Sequence, residues 1–356
     1  MPASERIPAR RMNPTADSGR MPREADPGAP ADSAPSPTAD ETRTRLALGT
    51  LNVLGQIRQA SNAVLFGEVE HEGRRVPCVY KPVAGERPLW DFPDGTLAQR
   101  EVAAYEISRA TGWDLVPATV LRDGPFGEGM CQAWVGPLPG AEPEDGEESE
   151  DGAASEVAVG EGDFGGESSE ETPGDAEADD ASDADDADES GGSDGGGELL
   201  AIVEGDEPGE GWKPVGYVDT GTARPALLVH ADDDRLRRLA VVDAVINNGD
   251  RKGGHLLTLP TGELYAIDHG VSFHVDDKLR TLLWGWAGED LTSEAVATLR
   301  GLAAALAEGA PLAVRLSELI TAAELEALRK RVGGLISSGR HPLPSGDWPA
   351  IPWPPV

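Results

Sequence analysis

A long acidic segment divides the chain near its middle. Residues 141–199 carry 24 Asp or Glu side chains and no Lys or Arg, with Gly, Ser and Ala at most other positions. Such a segment has too little apolar surface to offset the entropy lost on ordering, so it is predicted to be a disordered insert. Residues 1–42 are predicted to be a disordered tail for the same reason. Folded structure is therefore expected in two blocks, 43–140 and 200–342, with a Pro/Trp-rich tail at 343–356.

The net charge of the chain comes mainly from this acidic insert. The formal charge is −34 at pH 7, and about −10 remains without the 24 acids of the insert. A surface of this sign repels phosphate backbones, which argues against binding of nucleic acid. The insert is interpreted as a solvated linker, and a docking segment for a basic protein partner is the alternative.

Signals for a membrane or a secretory pathway are missing from the sequence. No window of about 18 apolar residues is present, and MPASERIPARRMNP contains arginines but no apolar core of a secretory signal. Cys78 and Cys131 lie in strand-like segments without the spacing of a zinc site or a redox pair. They are interpreted as small buried apolar residues. We therefore expect a cytoplasmic protein without a transmembrane segment.

The first block is predicted to fold as a small antiparallel sheet with one helix. Short β-favouring runs alternate with turn-like segments such as HEGRR. Residues 97–112 place apolar side chains mostly on one helical stripe, and Gly112 is a natural C-terminal stop. The predicted strands are 53–59, 64–70, 76–81, 115–122 and 129–135.

The second block is predicted to be mainly helical. Residues 233–247 carry apolar side chains at helical spacing, and two Ala/Leu/Glu-rich helices are expected at 291–308 and 321–337. Two short strands, 256–259 and 263–267, flank a turn. A β-rich block followed by a helical block is an α+β, two-lobed plan.

The loop NNGDRKGGHLL gathers polar side chains just ahead of this hairpin. A two-residue turn at Thr261 and Gly262 is assumed for the register. The ladder then places His255 opposite Asp268. With Asp250 a few residues upstream, the cluster could hold Mg²⁺ together with phosphate oxygens. Solvated turn residues are the alternative interpretation.

Two residues of the first block have the types and places needed to bind phosphate. Lys81 ends the third predicted strand, and Glu101 lies in the helix that can pack on the sheet. A strand Lys paired with a helix Glu is held against the α- and β-phosphates of ATP. The turn Ala60-Ser61-Asn62 could cover phosphates with backbone N–H groups and a hydroxyl, although it lacks the glycines of a G-x-G-x-x-G loop.

Lys81, Glu101, the DRKxxH loop and IDHG follow one another along the chain as in the protein-kinase-like superfamily, which this sequence resembles. Within it, REVAAYEISRATGWDLVPATVLRDG and AIDHGVSFH are similar to the type II phosphatidylinositol 4-kinase branch of the phosphatidylinositol 3-/4-kinase-like families. The sequence most resembles an actinobacterial family related to that kinase group. The resemblance covers residues 50–140 and 212–290. It implies a two-lobed protein-kinase-like fold, with a small antiparallel β N-lobe containing one helix and a mainly helical C-lobe.

The resemblance implies ATP-dependent transfer of the γ-phosphate to the hydroxyl of a protein, lipid or small-molecule acceptor, with Mg²⁺ or Mn²⁺ as the metal. Asp250 would orient or deprotonate that hydroxyl, and Lys252 would contact the γ-phosphate. Asp268 would bind the metal ion. The residues implied in nucleotide binding are Ser61 and Asn62 in the loop over ATP, Lys81 on the α- and β-phosphates, Glu101 beside it, and Gln132, Trp134 and Val135 at the adenine.

His255 departs from the pattern of the kinases. It occupies the place of an Asn that binds metal through its amide oxygen. Three interpretations stay open: His255 ligates a divalent metal, Asn247 or Asn248 substitutes for the missing amide, or metal binding is impaired. In the last case the chain is a nucleotide-binding pseudokinase or regulatory scaffold. A HipA-like Ser/Thr protein kinase is a further alternative to a kinase of the phosphatidylinositol group.

Overall fold

Most of both blocks can be described in three dimensions. The computed structural model describes residues 37–57, 63–93, 95–139, 157–158, 199–218, 221, 224–346 and 348–354. The predictions for Ser61 and Asn62, and nearly all of the acidic insert, lie outside the described residues.

The first block is built on an antiparallel sheet because apolar residues recur at every second position of its strands. In the third strand Val76, Cys78 and Tyr80 are buried while their neighbours are more exposed. Cys78 and Cys131 are both buried and free, as predicted. The sheet order is β4-β5-β3-β2-β1-β6. The strands are β1 (Thr50–Ile57), β2 (Val64–His71), β3 (Arg74–Pro82), β4 (Thr119–Gly124), β5 (Gly127–Ala133) and the two-residue β6 (Val157–Ala158).

Two helices flank this sheet, where one was predicted. Helix α2 (Leu97–Thr111) ends at Gly112, whose φ of 72° confirms the predicted stop. The unpredicted helix α1 (Ala39–Leu48) begins inside the expected tail. Its N-terminus is closed by a capping box between Thr38, which precedes the helix, and Glu41 in its first turn. Ten of the fifteen residues of α2 are buried, because one side meets the core under the sheet and the other meets the core of the second block.

The second block has four helices, a hairpin and a further small sheet among its described residues. The helices are α3 (Asp234–Ile246), α4 (Ser293–Ala305), α5 (Pro311–Ser317) and α6 (Ala322–Ser338). The strands are β7 (Leu200–Glu204), β8 (Trp212–Val218), β9 (Ala226–Ala231), β10 (Leu256–Thr258) and β11 (Leu264–Ala266). The sheet of order β7-β9-β8 and helix α5 were not predicted.

The predicted α+β fold class is confirmed. A small antiparallel sheet with packed helices is followed by a mainly helical part. Within the ranges described, no helix combines the length and the apolar character needed to cross a membrane.

The predicted register of the β10–β11 hairpin is wrong by one residue. Leu256 pairs with Ala266, and Ile267 donates its N–H to the carbonyl of His255 at 3.0 Å. The reason is the length of the turn, which has Gly262 in the positive-φ region at 95° and closes between Leu259 and Glu263. A longer turn than the assumed pair of residues shifts every partner along the ladder.

A buried ion pair joins α2 to the second block. The guanidinium of Arg100, 1% exposed, contacts Glu324 of α6 at 2.5 Å and the carbonyl of Ser272 at 2.7 Å. Because a buried guanidinium is costly without partners, these contacts fix where α2 lies against the second block.

Because the Arg100–Glu324 pair is buried, we expect two arginine substitutions in α2 to lower the free energy of unfolding by different amounts. Arg100→Met should lower the free energy of unfolding by about 3–5 kcal/mol, because Glu324 stays buried without its cation. Arg109→Met breaks only the exposed pair with Asp40 and should cost less than about 1 kcal/mol. Urea denaturation measures both, and equal losses would show that the buried pair does not join the two parts.

Candidate active site

Six of the side chains selected from the sequence line one cavity. The cavity has a volume of about 430 Å³ and lies where β3 and α2 meet the loop after α3 and the segment after β11. Ala63 and Val64 at the start of β2 form part of its wall. The selected residues that line it are Lys81, Glu101, Asp250, Lys252, His255 and Asp268.

Lys81 is the centre of a chain of charges at the back of the cavity. Its Nζ lies 2.8 Å from Oε1 of Glu101 and 3.0 Å from Oδ1 of Asp268. Burial alone would lower the pKa of Lys81, but the carboxylates of Asp268 and Glu101 outweigh it and raise that pKa. The amine therefore stays charged and able to meet phosphate oxygens.

Asp268 is held in its ionised form. The ammonium of Lys81 is the main reason that the pKa of Asp268 is well below its usual range, and the opposing effect of burial is smaller. The side chain is half exposed towards the cavity, and the backbone has a φ of 62° that non-glycine residues rarely adopt. Such a backbone persists only where neighbouring contacts fix it.

The loop that carries Asp250 is shaped by a fully buried arginine. Arg251, with no exposed surface, contacts both carboxylate oxygens of Asp243 in α3, Nε lying 3.0 Å from Oδ2 and Nη2 lying 2.9 Å from Oδ1. It also donates to the carbonyl of Ile267 at 2.9 Å and lies 2.7 Å from Nε2 of His269. These contacts tie α3, the loop and the segment around Asp268 together, so Arg251 is a structural residue.

Asp250 and Lys252 face the cavity side by side. Nζ of Lys252 lies 3.3 Å from Oδ2 of Asp250. Burial raises the pKa of Asp250, and the neighbouring Lys252 opposes this shift. A carboxylate whose proton affinity is raised is better suited to accept a proton from a hydroxyl than an exposed aspartate is.

His255 contacts Asp268, and its ring has no free lone pair for a metal ion. Nε2 lies 3.4 Å from Oδ2 of Asp268, and Nδ1 lies 3.4 Å from the backbone N–H of Lys252, which donates to it. Burial lowers the pKa of His255 to about 4, so the ring is neutral at pH 7 and carries its proton on Nε2. Ligation of a metal by His255 requires the other tautomer, and that role stays a prediction.

The two asparagines that were alternatives to His255 are engaged elsewhere. The amide of Asn247 donates to the carbonyl of His274 at 3.0 Å and to that of Asp276 at 2.6 Å. The amide of Asn248 donates to Asp243 at 2.9 Å, and its oxygen accepts the N–H of Asp250 at 3.0 Å. Both side chains shape the loop, and neither lines the cavity.

A divalent cation fits this cavity only with help from phosphate oxygens. Across the described ranges, no group of three or more His, Cys, Asp or Glu side chains is arranged to hold a metal ion by itself. Asp268 is ionised and half exposed, with Asp250 in the same cavity. Mg²⁺ accepts one or two carboxylates completed by water and nucleotide phosphates, which matches this donor set.

The three residues predicted at the adenine do not line the cavity. Gln132 is buried, and its amide donates to Oγ1 of Thr119 at 2.9 Å. Trp134 packs edge-on against Phe66 of β2, with ring centroids 5.1 Å apart. Val135 follows at the end of the same segment. Their role at a nucleotide stays a prediction.

Two residues of the site were missed in the sequence. Glu86 accepts the N–H groups of Leu97 and Ala98 at 3.0 and 2.7 Å, so it caps α2 from outside the helix. His269 donates its buried backbone N–H to Oε2 of Glu101 at 2.8 Å. No local sequence pattern indicates these hydrogen bonds, because Glu86 and His269 are each far along the chain from the residues that they contact.

The chain is similar to a protein of Mycobacterium tuberculosis (strain ATCC 25618 / H37Rv), Protein Rv2133c. The two are 43% identical over 316 residues, which cover 88% of this chain and 95% of that protein. The chain belongs to the Rv2133c family. No family model matches the chain.

Solved structures share a looser likeness with this member of the Rv2133c family. The Golgi casein kinase is 12% identical, with 84% of this chain and 75% of that chain covered and a TM-score of 0.43. The same kinase with Mn/ADP bound is 12% identical, with 89% of this chain and 80% of that chain covered and a TM-score of 0.46. Hydra Fam20 with sugar is 12% identical, with 85% of this chain and 88% of that chain covered and a TM-score of 0.42. At these TM-scores the likeness supports no assignment of function.

The Lys81–Glu101 pair predicts a coupled effect on stability. Lys81→Met should lower the free energy of unfolding by about 3 kcal/mol, because Glu101 is 2% exposed and loses its cation. Adding Glu101→Gln should recover part of this loss. Lys213→Met, which breaks a pair with the more exposed Glu289, is the matched control and should cost less than about 1 kcal/mol. Additive losses in the double variant, measured by urea denaturation, would contradict the coupling.

Proposed function

We propose that the chain is an ATP-dependent phosphotransferase of the phosphatidylinositol 3-/4-kinase-like group that transfers the γ-phosphate to a hydroxyl. The observation that carries this proposal is the position of Lys81, which contacts both Glu101 and Asp268 in the cavity that also contains Asp250. This arrangement supplies a cation for phosphates, an ionised carboxylate for a metal and a carboxylate for the acceptor.

The proposed reaction uses residues on opposite sides of the γ-phosphate. The acceptor oxygen forms a bond to the γ-phosphorus while the bond from that phosphorus to the β–γ bridging oxygen breaks. ADP leaves with the electron pair, and the hydroxyl proton passes to the carboxylate of Asp250. Lys81 and Lys252 neutralise the phosphate oxygens through the step. Mg²⁺ or Mn²⁺, held by Asp268 and phosphate oxygens, would supply further charge neutralisation.

A nucleotide-binding pseudokinase is the second candidate, and the hydrogen bonds of His255 favour it. Nδ1 accepts the N–H of Lys252 and Nε2 faces Asp268, so one oxygen of the metal carboxylate is engaged by a ring that lacks a free lone pair. In the kinase proposal, His255 orients Asp268 and the phosphates complete the metal site. In the pseudokinase proposal, the metal site is too poor for turnover.

Removal of either carboxylate separates the two candidates. Asp268→Asn should abolish the metal dependence of ATP binding, because the oxygen charge that holds the ion is gone. Asp250→Asn should keep ATP binding but lower turnover by roughly 10²–10⁴-fold, the range for loss of a general base. Thermal shift with ATP, with and without Mg²⁺ or Mn²⁺, and release of ADP measure the two effects. Asp206→Asn, at an exposed position, is the matched control.

The kinase proposal fails if wild-type protein releases no ADP with either metal. It also fails if Asp250→Asn and Asp206→Asn have the same turnover.

His255→Asn tests the role of the imidazole directly. An asparagine amide oxygen can ligate Mg²⁺, which neutral histidine does poorly. We expect Mg²⁺-supported turnover to rise, because the amide oxygen adds a metal ligand that the imidazole does not supply. The ratio of ADP release with Mg²⁺ to that with Mn²⁺ is the measurement. A fall with both metals would show that His255 is needed as it stands.

A further inference from the structure

A second cavity adjoins the first at Asp250. It has a volume of about 250 Å³, and it shares Leu89, Asp250 and Val271 with the first cavity. Asp250, the carboxylate that would accept the hydroxyl proton, thus lines both cavities. With phosphates in the first cavity, the second is the adjoining space in which an acceptor could lie against Asp250.

The outer wall of this second cavity is an aromatic cage around Lys278. Nζ of Lys278 lies 4.7 Å from the ring centroid of Trp90 and 4.7 Å from that of Trp348, and it is paired with Asp91. The cage brings together the loop before α2, the segment after Asp268 and the Pro/Trp-rich tail. The charge of Lys278 is satisfied inside the cage, so Lys278 serves as a wall and leaves no cation for a ligand.

Arg280 differs from Lys278 because none of the salt bridges among the described residues involves it. Its guanidinium donates to the carbonyl of Ile351 at 3.4 Å, and its positive charge acts on the carboxylate of Asp250 without forming an ion pair with it. The backbone of Arg280 is fixed on both sides of Asp250, since its N–H donates to the carbonyl of Asn248 at 2.9 Å and its carbonyl accepts the N–H of Arg251 at 3.0 Å. Arg280 thus lines the second cavity on a backbone held beside Asp250.

We propose that the phosphate acceptor is a small hydroxylated anion, bound in this second cavity with its carboxylate or phosphate on Arg280 and its hydroxyl at Asp250. The proposal rests on the function proposed above. Arginine binds carboxylate and phosphate groups through paired N–H donors, and the guanidinium of Arg280, which forms no ion pair among the described residues, supplies such donors here. The bonds made and broken are those of the transfer step already described.

The size of the second cavity favours a small molecule. About 250 Å³ lies below the usual 300–1,000 Å³ of ligand pockets, so a compact molecule fills the cavity. Trp90, Lys278 and Trp348 line the cavity together with Asp250, so a small acceptor at Asp250 lies against them.

Matched pairs of acceptors test the proposal. ADP release by the wild-type chain is measured with glycerate against glycerol and with inositol 1-phosphate against inositol. Dephosphorylated casein and phosphatidylinositol vesicles are tested in parallel, and mass spectrometry identifies the phosphorylated product. We expect a charged member of a pair to raise ADP release above the rate with water, and its neutral partner not to do so.

Substitution of Arg280 assigns the charge recognition to a residue. Arg280→Gln should raise the KM for the charged acceptor roughly 10- to 100-fold, the loss expected for hydrogen bonds to a charged group, while the KM for ATP is unchanged. Arg280→Lys should recover part of the affinity. Arg300→Gln, at an exposed position on α4, is the matched control.

The inference is overturned if no charged acceptor exceeds its neutral partner, if casein or the vesicles are the better acceptor, or if Arg280→Gln and Arg300→Gln behave alike. These outcomes leave ATP hydrolysis by the wild type intact, so they separate failure of this inference from failure of the proposed function. Absence of ADP release under every condition removes both.

Discussion

The hydrogen bonds of the buried Glu101 carboxylate hold the other parts of the site in place. One oxygen receives Nζ of Lys81 from β3, and the other receives the backbone N–H of His269, next to Asp268. A carboxylate that is 2% exposed is costly unless it is paired and hydrogen-bonded. The sheet, helix α2 and the segment after β11 must therefore meet at one point, and that point is the back of the cavity.

The site gathers cations beside an equal number of carboxylates in a chain that is strongly acidic overall. The formal net charge is −34, yet Lys81, Lys252 and Arg280 line the two joined cavities. Cations on the walls of a cleft attract phosphate more strongly than they would in water, because the effective dielectric constant there is lower. Carboxylates in the same cavities, Asp268 and Asp250 among them, balance these cations. The combination suits a nucleotide that brings both negative charge and a metal ion.

The chemical pairing inside the first block could be predicted because it depends on local patterns. Alternating burial in β3 and the helical stripe ending at Gly112 put Lys81 on a central strand and Glu101 on the helix beside it. A charged residue at either place needs a partner, so each predicts the other. The DRKxxH loop and the Asp-His-Gly motif, which follow Lys81 and Glu101 along the chain, supplied the other residues of the candidate site. Helix α1 lacked such a pattern because Leu46 is its one buried residue, and the sheet of β7, β8 and β9 lacked it because only β9 is mostly buried.

Residue type and periodicity are local properties, so the sequence indicated which residues are candidates for the chemistry and which elements carry them. Tertiary structure set how those residues meet. It moved the hairpin register by one residue through the length of the turn at Gly262, yet left His255 3.4 Å from Asp268. It also joined Arg280 to the loop on both sides of Asp250. Contacts between distant segments depend on how the blocks pack, and no spacing along the chain encodes that packing.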